Sequence, residues 1–281
     1  MKNKAKSYQI IDLPIERRLM TGFNDLSWQK HSMFGLLEVD VTTVRQFIED
    51  YRAKNGEVPS FTGYLALCLA RAVDENKTVQ AYLKGRRQLV LFDDVDVGMD
   101  IERKVGEKRV LMGHVIRGAN HKTYMEIHQE IRTVQSEPVP PSRGIPPWFR
   151  SAMLFPQPFS GWFKSLLSTV IRRDPTISVS IAGTVGITAV GMFGKGKSGW
   201  GIAPIPFSLG LIVGSMALKP AVVNGKIEPR EILNLTVMFD HDVIDGAPAT
   251  RFVRRLVELI ESGYGLSEQN IEAEFVSTTT G

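Results

Sequence analysis

The sequence predicts an α/β fold in one large domain, on a strand, a helix and a composition. Glu231–Phe239 alternates Leu233, Leu235, Val237 and Phe239 with more polar neighbours, the two-residue period of a strand with one buried face. Ala247–Ser262 sets Phe252, Leu256, Leu259 and Ile260 at helical spacing, with Gly263 placed to stop the helix. At 281 residues, 43% hydrophobic and 23% charged, the chain is long enough and apolar enough to bury a sizeable core.

In chain order, Met1–Tyr8 is polar and lacks the apolar stretch of a secretory signal, so a cytoplasmic location is expected. Cys68, the one cysteine, lies between Leu67 and Leu69 in a segment rich in Leu and Ala, which predicts a small buried residue in a helix and excludes an internal disulfide. Arg109–Ile116 is strand-like. From 137 to 173 seven prolines accompany Trp148, Phe149, Phe155, Phe159, Trp162 and Phe163, more aromatics than a disordered linker carries. Its later half, Gly161–Arg173, predicts a short amphipathic helix with a basic end. An arm packed on a neighbouring subunit is favoured there over peripheral membrane contact through 148–173. Two uncharged stretches, Pro175–Gly194 and Ser198–Leu218, are long enough to raise a membrane span. Their many glycines, with Pro204 and Pro206, predict buried strands and tight loops instead.

The motif richest in chemistry is His241-Asp-Val-Ile-Asp245-Gly246, which leaves the 231–239 strand and enters the following helix. A side chain at a strand exit is held by a rigid scaffold, a frequent place for catalysis. On spacing alone, a histidine beside Asp240 and Asp242 reads first as a hydrogen-bonded surface or core residue. His114, His121 and His128 recur every seven residues, with His121 and His128 on one helical face and His114 in a strand. That is a loose stripe, not a chelate, and no metal is expected. Gly191–Ser198 satisfies the phosphate-loop pattern GxxxxGK[ST], yet Gly199-Trp-Gly-Ile-Ala-Pro204 cannot start the helix such a loop needs. A net charge of +4 without a helix-turn-helix or RNP-like pattern argues against nucleic acid.

Several segments together resemble the dihydrolipoyl acyltransferase cores of 2-oxoacid dehydrogenase complexes, which share a fold with chloramphenicol acetyltransferase. Phe239–Gly246 resembles their DHRxxDG motif, Gly183–Gly194 their GTFTISNLGMFG, and Pro206–Gly214 their NPPQAAILGVG. Glu38–Thr42 is similar to their early strand, Phe61–Ala70 to their first long helix, and Asp94–Met99 to the strand after it. The likeness runs from 15 to 266, with 1–14 as an N-terminal arm, 137–173 as an insertion and 267–281 as a tail.

The resemblance implies a two-layer α/β sandwich, a large mixed sheet with helices on one side, assembled as a homotrimer or a larger cage. It implies a coenzyme A-dependent acyltransferase working between a thioester donor and a thiol acceptor. His241 stands where the family has its general base, Thr188 where a hydroxyl stabilises the oxyanion, and Asp245 where an aspartate orders the site through a salt bridge, with Arg17 or Arg18 as partner. Acyl-coenzyme A is then a substrate, and a lipoyl group on a separate carrier protein is a candidate partner, because no lipoyl-type segment precedes the core. Departures at Asp242, in place of arginine, and Ala189, in place of asparagine, bear on the acceptor. An O- or N-acyltransferase of small molecules and a non-catalytic trimeric scaffold are the alternatives.

Overall fold

Alternation on two sets of strands decides which side of the molecule is wet. The structure, a computed structural model, describes residues 27–105, 108–137, 173–189 and 197–266, with the isolated residues 9, 11–13, 17, 21, 24, 25, 147, 151, 165, 166 and 169–171. In chain order come β1 (Ser32–Asp40), α1 (Thr42–Asn55), α2 (Phe61–Glu75), the short hairpin β2 (Tyr82–Lys84) and β3 (Gln88–Val90), β4 (Val97–Val105) and β5 (Lys108–Ile116). There follow α3 (Tyr124–Ser136), α4 (Thr176–Ala182), β6 (Val185–Ala189), β7 (Leu209–Val223), β8 (Lys226–Asp240) and α5 (Gly246–Glu261).

Six strands make one mixed sheet in the order β1-β8-β7-β6-β4-β5, with β7, β6 and β4 mutually parallel and the outer pairs antiparallel. Leu233, Leu235, Val237 and Phe239 of β8, Leu209 and Leu211 of β7, Val185 and Ile187 of β6, and Val97, Met99 and Ile101 of β4 share one face. With residues from α1, α2, α3 and α5 they form the core. The α/β sheet with a helical layer on one side is therefore present as expected.

The opposite face carries Gly98, Gly186 and Gly210, and the chain uses the missing side chains. A Cβ on Gly98 would collide with the Ala182 carbonyl, one on Gly186 with the Phe207 ring, and one on Gly210 with Ile205. So the end of α4 and the irregular segment 201–208 lie flat on this face. Thr236 Oγ1 donates to Gly201 O at 2.9 Å and Ile205 N donates to Met238 Sδ at 3.4 Å, which pins the segment to β8.

Two expectations need correction. Pro175–Gly194 is not all strand and loop, because Thr176–Ala182 is helical. Asp174 accepts from the Thr176 backbone N–H at 3.1 Å at one end, and Arg117 reaches the Val179 and Ser180 carbonyls at the other. Nor do His121 and His128 share a helix. A capping box between Thr123 and Glu126 starts α3 at Tyr124, leaving His121 in the preceding 3₁₀ turn. The 1–14 arm, the 137–173 insertion, residues 191–196 of the phosphate-loop pattern and the 267–281 tail fall wholly or mostly outside the described residues; of the amphipathic helix expected at 161–173, residues 165, 166, 169–171 and 173 are described and helical.

His128 is 1% exposed and joins two helices. Its Nδ1 accepts from the Ser60 backbone N–H at 3.2 Å at the head of α2, and its Nε2 donates to Glu57 at 2.9 Å. Burial holds its pKa below the ordinary value, against the opposing pull of Glu57. A depressed histidine gives stability that is complete above the unfolded pKa near 6.5 and is lost as pH falls through the folded value. We expect stability to fall below about pH 6.5 with a slope of up to about 1.4 kcal/mol per pH unit from this group. Unfolding midpoints of wild type and His128→Gln from pH 7.5 to 5 test this; equal pH slopes would reject it.

Candidate active site

β8 ends at Asp240, and the next turn is built around that residue. Asp240 is 4% exposed, and Lys30 Nζ donates to its Oδ2 at 2.7 Å while standing 5.1 Å from the centre of the Tyr82 ring. The Asp242 backbone N–H donates to Asp240 Oδ1 at 3.2 Å, and the Val243 and Ile244 amides donate to its carbonyl. His241 itself donates its backbone N–H to His31 O at 2.9 Å, and the His31 ring meets Asp242 Oδ1 at 2.8 Å. Both neighbours of His241 are thus committed to holding the backbone, while its own side chain is exposed. An exposed imidazole on a fixed turn is free to meet a proton donor from outside the chain.

Thr188 is half-buried in β6, on the sheet face away from the core. Its register partner is Ile212 of β7, which in turn faces Thr236 of β8. His241 lies five residues beyond Thr236, or roughly 16 Å along the strand direction, and two strand spacings, about 10 Å, to the side. One chain therefore does not bring His241 and Thr188 together.

Asp245 is the N-cap residue of α5, but its side chain makes no capping hydrogen bond and is exposed. Among the described residues it has no ion pair; Arg17 does not reach it, and Arg18 lies outside them. The expected salt bridge is absent within the described chain. What remains is a carboxylate at a helix N-terminus, a favourable charge placement.

A cavity of about 520 Å³ opens between α4, the β2–β3 hairpin and the end of β8. Lys30, Tyr82, Arg86, Phe207, Asp240 and Asp242 line it, but neither His241 nor Thr188 does. It flanks the histidine turn. No cluster of three or more His, Cys, Asp or Glu side chains that could hold a metal occurs among the described residues. Cys68 is fully buried, and burial pushes its thiol up to about 12, which keeps it from being a nucleophile.

Sequence reading missed Lys30, His31 and Asp240 as site-forming residues. Lys30 and Asp240 are 210 positions apart, and only the pairing of β1 with β8 joins them.

The family model described as 2-oxoacid dehydrogenases acyltransferase (catalytic domain) matches residues 25–137 and 179–266. The lipoamide acyltransferase component of the branched-chain alpha-keto acid dehydrogenase complex of Bacillus subtilis is 25% identical over 232 residues, 81% of this chain and 46% of that protein. The chain spans about half the length of such curated relatives, with 44% of another and 46% of a third. Their names divide by acyl group, with acetyltransferase and succinyltransferase components among them. The cubic core of a pyruvate dehydrogenase multienzyme complex superposes with a TM-score of 0.64 at 19% identity, covering 92% of this chain and 94% of that one. The dihydrolipoamide acetyltransferase of Azotobacter vinelandii, a structure concerned with a serine, a histidine and an asparagine in catalysis, superposes with a TM-score of 0.63 at 21% identity, covering 92% and 94%.

The Lys30–Asp240 pair is the part of this site whose energetics are easiest to read. Removing one partner of a mostly buried pair strands the other, at about 3 kcal/mol, whereas removing both leaves no charge behind. Lys30→Met should therefore lower unfolding stability by roughly that amount, and Lys30→Met with Asp240→Asn should recover most of it. Denaturant titration of the two variants measures this, and a double variant no better than the single one would mean that the pair does not hold the turn.

Proposed function

The chain belongs to the 2-oxoacid dehydrogenase acyltransferase family, and we propose that it is a coenzyme A-dependent acyltransferase whose site forms between subunits of a homotrimer. The observation that carries this reading is the separation of His241 from Thr188 within one chain, His241 being exposed and Thr188 half-buried. A threefold ring of head-to-tail contacts would set the histidine of one subunit against the threonine of the next. The cubic assembly of a structural relative supports closed assembly as a property of this fold.

In that site His241 accepts the proton of an acceptor thiol, and the thiolate attacks the thioester carbonyl. A new carbon–sulfur bond forms as the carbonyl electrons move to oxygen. The Thr188 hydroxyl donates to that oxyanion. Collapse then breaks the carbon–sulfur bond of the donor, and the departing thiolate takes the proton back from the imidazolium. Proton transfer of this kind contributes about 10²–10⁴ in rate, and one oxyanion donor about 10²–10³. No group on the protein is acylated. The thiol acceptor is a dihydrolipoyl group, with acyl-coenzyme A on the other side of the equilibrium. Asp245 orders the entry of α5 without moving a proton, and the described chain supports no ion-pair role for it.

Acyl transfer from acyl-coenzyme A to dihydrolipoamide, followed by mass spectrometry, tests the activity. His241→Ala is expected to lower it by at least about 10², and Thr188→Val by about 10²–10³ with substrate affinity little changed. Trimers reassembled from equal amounts of the two variants should regain about a quarter of wild-type activity, because a His241 donor and a Thr188 donor then meet at that share of interfaces. No recovery on mixing would place both groups within one subunit's site or remove them from catalysis. Intact trimers with no transfer would favour the scaffold.

Asp245→Asn is expected to leave activity within about tenfold and to cost no more than about 1 kcal/mol, the scale of one charge at a helix N-terminus. Thermal melting and the same assay check it; a severe loss of stability would reveal a buried ion pair after all.

A further inference from the structure

The register that places Thr188 also places an unpaired carboxylate beside it. β4 and β6 run parallel with Met99 opposite Ile187 as the last matched residues. The pairing ends there, and the next residues along the two strands are Asp100 of β4 and Thr188 of β6. Both side chains belong to the face away from the core, since Met99, Ile101 and Ile187 belong to the core.

The space around Thr188 on that face is closed in two directions and open in one. Towards Gly186 the Phe207 ring covers the sheet, and towards Ile212, which is 1% exposed, the sheet is covered as well. Towards Asp100 it is open among the described residues. Asp100 is exposed, and its cross-strand partner Gly113 offers no side chain, with open space where a Cβ would be. A group bound at the Thr188 hydroxyl therefore extends, among the described residues, over Asp100 and Gly113.

No described residue neutralises that carboxylate. Asp100 has no hydrogen bond or ion pair among the described residues. Arg109, on the same face, is engaged by Glu102 at 3.0 Å. Although Asp100 keeps access to solvent, partial desolvation of its carboxyl against the sheet raises its pKa above the ordinary value, with no cation among the described residues to pull it back. The shift is consistent with a charge that has no partner.

We propose that Asp100 is a specificity-determining residue that excludes negatively charged acyl groups, so that the donor carries a neutral acyl chain and not a succinyl-type one. The inference rests on the acyltransferase reading and on Thr188 as the oxyanion donor. A succinyl group carries its carboxylate a few bonds from the thioester carbonyl, and so reaches the neighbourhood of Asp100 when the carbonyl oxygen is at Thr188. Two like charges at such a separation in a partly enclosed site disfavour binding on the order of 10- to 100-fold.

The test compares kcat/KM for acetyl-, butyryl- and succinyl-coenzyme A with wild type, Asp100→Asn and Asp100→Ser, each checked for intact assembly. Wild type should favour the neutral donors by at least about tenfold. Asp100→Asn should raise the succinyl value by at least about tenfold and hold the neutral donors within about threefold. Efficient succinyl transfer by wild type, or a donor ratio unchanged in both variants, overturns the proposal. Absence of turnover with every donor would reject the acyltransferase reading separately. Calorimetric binding of the same three thioesters then decides on Asp100: weaker succinyl binding relieved in Asp100→Asn supports it, and equal binding in both proteins overturns it.

Discussion

The arrangement depends on a sheet whose two faces obey different packing rules. One face carries branched and aromatic side chains and is sealed by four helices. The other carries glycines where the chain must come closest, at Gly98, Gly186 and Gly210, so that backbone and two apolar side chains can rest directly on the strands. A methyl group at any of these positions would lift Ala182, Phe207 or Ile205 away from the sheet. Interiors are close-packed, so such a displacement has no void to absorb it. Among the described residues the cover stops short of Thr188 and Asp100.

A second constraint fixes the other half of the site. β1 pairs with β8 from Ser32 opposite Asp240 to Asp40 opposite Ile232, which brings the chain just before β1 to the turn just after β8. Lys30 and His31 hold that turn from one side, and the Asp240 carboxylate and carbonyl hold it from within. The cost of burying Asp240 is offset by a direct cation and by backbone donors, the condition under which a buried charge is tolerated. Among the described residues the imidazole of His241 has no hydrogen-bond partner.

The parts of this structure that were legible in the sequence are those with a strong period and a long run. The alternation in Glu231–Phe239 and the helical spacing in Ala247–Ser262 correspond to the buried half of β8 and to α5, within a residue or so at the ends of the helix. The first half of β8, from Lys226, was not legible, because Ile227 is exposed and Pro229 interrupts any pattern. Thr176–Ala182 is the instructive failure. Ile177, Val179 and Ile181 alternate with serines as a strand would, yet Asp174 and Arg117 satisfy the ends of a single helical stretch there. Tertiary partners outweighed a weak local preference. His121 and His128 show the reverse case, since the Thr123–Glu126 capping pattern that separates them is readable in the sequence and outranks the seven-residue spacing.

The site divides in the same way. His241 and Thr188 could be located from motifs because each sits in a segment whose neighbours specify it locally. Lys30 and Asp100 could not. Their importance comes from strand pairing, one across 210 residues and the other across a parallel register between β4 and β6. Parallel strands are joined by long connections, so a residue beside Thr188 in space is far from it in sequence. The two groups proposed to carry the chemistry are therefore held in local motifs, while the group proposed to select among substrates is supplied by the sheet. A chain can keep its motifs and its fold while changing that neighbouring position, and so alter which acyl group it accepts without altering how the group is transferred.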